Sequence, residues 1–215
     1  RDAENRDRFL DRAEAALGVR PRVIPGEEEA RLAFRGATGG GSATPVGVVD
    51  VGGGSTEVVV GTAAPSHAVS VQLGSIRLTE RILPDRPTED VPKALAWAID
   101  RLGAVDFDMP DHVLGVAGTY TALAAIDLEL EAYADAAVHG HGLTIEAMRH
   151  LVGRLAGLTI EETEAIPSLH PKRAPMLLGG AVTVLAVMER FALEAIEVRV
   201  TDILDGVADE LLTAR

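Results

Sequence analysis

Residues 46–61, VGVVDVGGGSTEVVVG, set two valine-rich runs on either side of three glycines, with Asp50 before them and Glu57 after. Short β-branched runs punctuated by glycine predict two strands joined by a loop. AVSVQL (68–73) predicts a third strand, and GSIRLTERIL (74–83) the start of a helix with Gly74 and Ser75 at the joint. Upstream, RDAENRDRFLDRAEAAL (1–17) carries Phe9, Leu10, Ala13, Ala16 and Leu17 at helical spacing. RVIPGEEEARLAF (22–34) reads as a short strand, a Pro-Gly turn and a helix start with Glu27, Glu28 and Glu29 at the positive end of its dipole. GATGGGSATP (36–45) is a turn-rich link and the best candidate for a domain boundary.

Downstream, a helix is expected over 88–102, capped by Thr88, with Val91, Leu95, Ile99 and Leu102 on one face. Residues 111–126 read as strand, Gly-Thr turn and small-residue helix; further helices are expected over 144–157 and 172–193. A last strand (196–201) and a closing helix (202–212) complete the chain. The order β-β-β-α, β-α, β-α departs from the strict alternation of a dinucleotide-binding domain.

Composition narrows the field. The 215 residues are 47% hydrophobic and 25% charged, as in a soluble globular protein with a sizeable core. There is no cysteine, so disulfides and thiolate metal sites are excluded and a cytoplasmic home is expected. No apolar run approaches the roughly 20 residues of a membrane span, and no signal peptide opens the chain. Residue 1 is Arg inside a helical pattern, which suggests part of a longer chain. The net charge of −13 argues against broad binding to nucleic acid or an anionic membrane, yet leaves room for an anion in one pocket. Only Lys93 and Lys172 are lysines, so most basic residues are arginines, which grip phosphate with a fixed fork of donors.

Two loops carry candidate phosphate chemistry. Gly52-Gly53-Gly54 lacks the lysine of a Walker loop and leads into strand rather than helix. Glycines in such a hairpin loop can aim main-chain N–H groups at a large anion, and Ser55 and Thr56 add hydroxyls. Asp50 and Glu57 would repel a phosphate, so their use is to hold Mg²⁺ or orient water. The plain alternative is a glycine-rich turn with solvated acids. Gly118-Thr119, between a strand end and a helix, is the second anion site; its alternative is an ordinary threonine cap.

The acids at 27–29 decorate a first helical turn, and one of them facing the phosphate pocket could deprotonate water. His139 and His141 have no third metal ligand in sequence, so a polar turn before a Thr144 cap competes with a metal role. His170 precedes Pro171.

At these residues the chain resembles the exopolyphosphatase/guanosine pentaphosphate phosphatase (Ppx/GppA) family. RDAENRDRF, GEEEARLAF, VVDVGGGSTEVVVG, LGSIRLTERIL, VAGTYTALAAI, VHGHGL and KRAPMLLGGA fall in the family's order. The resemblance implies an α/β, ribonuclease H-like domain of the actin/Hsp70/sugar-kinase superfamily, with a mixed sheet flanked by helices. It implies that 1–35 is the tail of a first domain and 36–215 the second. It implies a Mg²⁺-dependent hydrolase that removes terminal phosphate from inorganic polyphosphate or pppGpp, with a homodimer as an option. Carried over residue by residue, the catalytic acid is Glu29. The phosphate loop is Gly52, Gly53, Gly54 and Ser55 with the metal acids Asp50 and Glu57. The substrate arginines are Arg1 and Arg173. Two departures stand out: no Asp-x-Gly-Thr loop of an earlier half occurs here, and TDILDG replaces an arginine-containing ending. A non-catalytic phosphate-binding module is therefore the rival expectation.

Overall fold

The computed structural model describes residues 5–84 and 88–213. Arg1 lies outside the described residues. The helices are α1 (Arg6–Leu17), α2 (Gly26–Thr38), α3 (Ser75–Ile82), α4 (Val91–Leu102), α5 (Ala117–Asp127), α6 (Asp135–Val138), α7 (Ile145–Ala156), α8 (Ile160–Glu164), α9 (Ala174–Arg190) and α10 (Ile203–Thr213). The strands are β1 (Val46–Val51), β2 (Thr56–Gly61), β3 (Pro65–Val71), β4 (Val113–Val116), β5 (Gly142–Thr144) and β6 (Ala195–Val198).

The six strands form one mixed sheet in the order β3-β2-β1-β4-β6-β5. β1, β2 and β3 pair as an antiparallel meander, whereas β4 and β6 run parallel to β1. Every residue of β1 is buried, because helices cover both faces of the sheet. One face packs under α9, whose residues Leu177 through Met188 are all buried. A helix buried all round is the centre of a layer rather than its surface, and α3, α4, α5 and α7 pack against it. On the other face α2 sets Ala30, Phe34 and Ala37 on Val46, Val48, Val59, Leu114 and Val116. Each large aliphatic buried there contributes about 1.5–3 kcal/mol.

Several expectations shift. Residues 21–25 are not a strand, and the helix expected to stop near 35 continues to Thr38, so the 35/36 boundary falls inside α2. In α1 only Leu10 is buried, while Phe9 and Leu17 are largely exposed. Thr88 does not cap α4: it sits in a 3-10 turn, donates to Ala156 O, and α4 starts after Asp90. That helix buries Ala94, Ala98 and Leu102, leaving Val91, Leu95 and Ile99 partly covered, because α9 approaches closest along its alanines. The three-residue β5 and the one-turn helices α6 and α8 were too short for a periodic signal. Thr144 does cap α7, accepting the Ala147 N–H.

Candidate active site

β1 and β4 run side by side in the same direction, so the glycine loop after β1 and the first turn of α5 after β4 open at the same edge of the sheet. Ligands of parallel sheets bind beyond such carboxyl ends. Between them lies a cleft of about 490 Å³, lined by Gly52, Gly53, Ser75, Ile76, Ala117, Gly118, Thr119, His170, Lys172, Arg173 and Met176 among others. The two loops identified in sequence thus share one cleft.

The glycine loop is not built as a left-handed turn, since none of its three glycines has a positive φ. Its glycines answer a packing demand instead. Gly52 donates to Ser55 O, closing the turn, while Gly52 O and Gly53 O accept from Ser75, Ile76 and Arg77 at the head of α3. A Cβ on Gly74 would approach Gly53 O to 2.7 Å, so that joint admits only glycine. Consequently the Gly52 amide is not offered to a ligand. The Gly53 and Gly54 amides make no backbone hydrogen bond among the described residues.

Across the cleft the fold keeps local strain. Ala117, the first residue of α5, has φ 71°, which costs a non-glycine residue about 1–2 kcal/mol. It turns the first turn of α5, whose leading N–H groups have no intrahelical acceptor, into the cleft wall. Thr119 is not a cap: it lies within the helix, and its hydroxyl donates to Val51 O (2.9 Å). Its side chain therefore ties α5 to β1, and what it presents to the cleft is backbone. Gly118 carries the guanidinium of Arg173 directly against its Cα; a Cβ there would overlap both terminal nitrogens. Arg173 and Lys172 form no ion pair among the described residues, in a protein of net charge −13. Neighbouring His170 accepts the Lys172 N–H at Nδ1 (3.3 Å), which leaves the proton on Nε2. Lys172, Met176, Ser75 and Ile76 lie inside the quoted motifs but are not named there as site residues; they arrive from α3, from the turn before α9 and from the first turn of α9.

The acids form a second cluster. Asp50 and Glu57 oppose each other across the β1–β2 pair and are buried, on the α2 face of the sheet. Glu57 Oε1 accepts the Ser70 hydroxyl (2.7 Å). Burial, and then the negative fields of Glu57, Glu29 and Asp202, push the Asp50 carboxyl up to about 7. Of the triplet, Glu28 is held by Arg22 (2.5 and 2.8 Å) and Glu27 is exposed, whereas Glu29 faces the Asp50 cluster. Asp202, from the segment before α10, was missed in sequence because nothing local links it to β1. These acids stand beside the cleft rather than in its lining, and Ser55 lines it no more than they do.

Two buried, opposed carboxylates suit Mg²⁺, which takes one or two protein acids and keeps several waters. A cation there would also offset the negative fields of Glu57, Glu29 and Asp202 that act on Asp50. No three His, Asp or Glu side chains converge as a full ligand cage among the described residues, so water and phosphate would complete the shell. The histidine pair is otherwise engaged: His139 Nε2 meets Arg199 and His141 pairs with Asp127 (2.7 Å).

The architecture and sequence have close counterparts. Exopolyphosphatase 2 of Mycobacterium tuberculosis is 39% identical over 97% of this chain and 70% of its own length. Exopolyphosphatase 1 of Mycobacterium bovis is 30% identical over 92% of the chain and 60% of its length. The crystal structure of an exopolyphosphatase-like protein superposes with a TM-score of 0.92 at 33% identity, covering 99% of this chain and 74% of that one. The Aquifex aeolicus member of the Ppx/GppA family gives a TM-score of 0.85 at 28% identity over 99% and 71%. The fold is accordingly the actin-like ATPase fold expected from the resemblance. The profile of the Ppx/GppA phosphatase family matches residues 1–214, and with the relatives above it establishes that this chain belongs to that family.

Proposed function

We propose that this chain supplies the phosphate-gripping domain of an exopolyphosphatase, which releases terminal orthophosphate from inorganic polyphosphate. The observation that carries the reading is the single cleft in which Gly53, the first turn of α5, Lys172 and Arg173 converge, with the Glu29–Asp50–Glu57 acids beside it. The relatives named exopolyphosphatase support the same class.

In this mechanism backbone N–H groups and the Arg173 fork hold the oxygens of the terminal phosphoryl group, where charge grows in the transition state. Glu29 takes a proton from the water as its oxygen bonds to the terminal phosphorus; the anhydride P–O bond to the rest of the chain breaks, releasing orthophosphate and a chain one phosphate shorter. Asp50 and Glu57 would hold Mg²⁺, which would supply positive charge against the phosphate oxygens. Phosphoryl transfer asks little covalent chemistry of the protein, so positioning and electrostatics supply most of the rate. The same bond chemistry serves pppGpp, whereas the relatives at 39% and 30% identity are named for polyphosphate. Polyphosphate is therefore the preferred substrate.

The test is phosphate release from polyphosphate and from pppGpp, with Mg²⁺, by the protein that contains this chain. Turnover of polyphosphate is expected. Tight binding without turnover of either compound would favour the non-catalytic module, and transfer from ATP to an acceptor would favour a kinase.

A further inference from the structure

A second pocket, of about 360 Å³, opens beside the main cleft and is lined by Thr121, Ala122, Tyr133, Ser168, His170 and Arg173. The two spaces share His170 and Arg173, and α5 runs along both. Ala117, Gly118 and Thr119 wall the cleft, while Thr121 and Ala122, a turn further on, wall the pocket. Residues three apart on a helix share a face, so Gly118 and Thr121 are neighbours. Arg173 rests on Gly118 and therefore stands at the seam.

The pocket wall is a set of donors. Ser168 is only 6% exposed, yet its hydroxyl makes no hydrogen bond among the described residues. A buried hydroxyl without a partner is destabilising, and in a pocket wall it marks a place for a guest. Thr121 gives only a long contact to Gly118 O (3.4 Å). The proton of His170 sits on Nε2, because Nδ1 accepts the Lys172 N–H. Tyr133 keeps its phenolic proton, since burial first and then Asp135 raise it above its ordinary value. Arg173 forms no ion pair among the described residues. Five of the six lining residues thus carry a donor and none a carboxylate; Asp135, which acts on Tyr133, is not in the lining. Such a wall suits a ligand whose oxygens only accept, as those of an internal phosphate do.

We propose that this pocket is a second phosphate subsite, in which Ser168, Thr121 and His170 hold internal phosphates of a polyphosphate whose terminal phosphate lies in the main cleft. Arg173, with a fork of donors, serves both sides of the seam. The inference rests on the exopolyphosphatase reading and deepens it: Ser168 and Thr121 set the preference for long chains over tripolyphosphate and take no part in the chemistry.

The experiment compares kcat/KM for long-chain polyphosphate and for tripolyphosphate in the complete enzyme and in Ser168→Ala, Thr121→Glu and Thr121→Gln. Ser168→Ala should lower the long-to-short ratio about tenfold, the weight of one hydrogen bond to a charged group. Thr121→Glu should lower it further than Thr121→Gln, from which it differs by one negative charge. A ratio unchanged in Ser168→Ala, no difference between the two Thr121 variants, or equal losses on both substrates overturns the subsite. Should Ser168→Ala fail to fold, the Thr121 pair decides alone. GTP probes the rival occupant: GTP binding that weakens in Ser168→Ala while long-chain kinetics stay unchanged gives the pocket to a nucleoside and overturns the proposal. If the complete wild-type enzyme releases no phosphate from either polyphosphate, it is the exopolyphosphatase reading that fails. Calorimetric binding then decides the subsite: weakening confined to the long chain in Thr121→Glu upholds it, and any other pattern rejects it.

Discussion

The guanidinium of Arg173 lies flat against the Cα of Gly118, in space that any side chain at residue 118 would occupy. One residue reaches the cleft from the turn before α9 and the other from the start of α5, so the contact joins two elements into one anion-binding wall. Gly118→Ala should therefore act on Arg173 rather than on α5 itself, since alanine suits a helix better than glycine. We expect Gly118→Ala and Arg173→Ala each to lower kcat/KM about 10²-fold, with the double variant little worse than either. Additive losses measured by phosphate release would show that the two residues act separately.

Glu29 is the one acid of its triplet turned towards the Asp50 cluster. As the base for water it should be needed for turnover but not for binding. Glu29→Gln is expected to reduce kcat by about 10²–10⁴-fold. Polyphosphate affinity, followed by calorimetry, should stay near that of the wild type. Activity retained within a factor of about 3 would remove Glu29 from the mechanism.

Asp50 gives a pH signature. Its carboxyl rises from 3.8 to about 7 on folding, so the folded state holds the proton more tightly than the unfolded state does. Stability therefore falls as pH climbs between these values, and at pH 8 the full penalty, about 4 kcal/mol at most, is present. In EDTA, Asp50→Asn should melt above the wild type at pH 8 and close to it near pH 4. Mg²⁺ should raise the melting temperature of the wild type at pH 8 but not that of Asp50→Asn. A variant less stable than the wild type at pH 8 would mean that the ionised carboxylate makes a favourable contact.

Helices α2 and α10 cross backbone to backbone at Gly36 and Gly206, each of which would drive a Cβ into a main-chain carbonyl of the other helix's segment. The crossing is flanked by ion pairs from Arg31 to Glu210 (2.9 Å) and from Arg35 to Asp209. Since α2 carries Glu29 and the segment before α10 carries Asp202, this crossing positions both acids near Asp50. Gly36→Ala should cost about 1–3 kcal/mol of stability and loosen α10, seen as faster limited proteolysis after Arg199, the arginine that precedes it. Unchanged melting would show that the crossing relaxes without consequence.

The sequence alone determined the elements with strong periodicity and the family. The valine runs, the acid-glycine loop and the strand–Gly-Thr–helix pattern are local signals, each readable because backbone preference and chemistry lie within a few residues of one another. Tertiary structure decided everything that depends on approach. It revealed that Gly52, Gly53 and Gly74 serve the docking of α3 as much as an anion, and that Thr119 Oγ1 is taken by Val51 O. It brought Asp202 to Asp50 from some 150 residues away and laid Arg173 on Gly118. It also turned α4 onto its alanines. Such contacts arise from how neighbouring layers close on each other, and a one-dimensional pattern carries no information on the gap between two elements until both are folded.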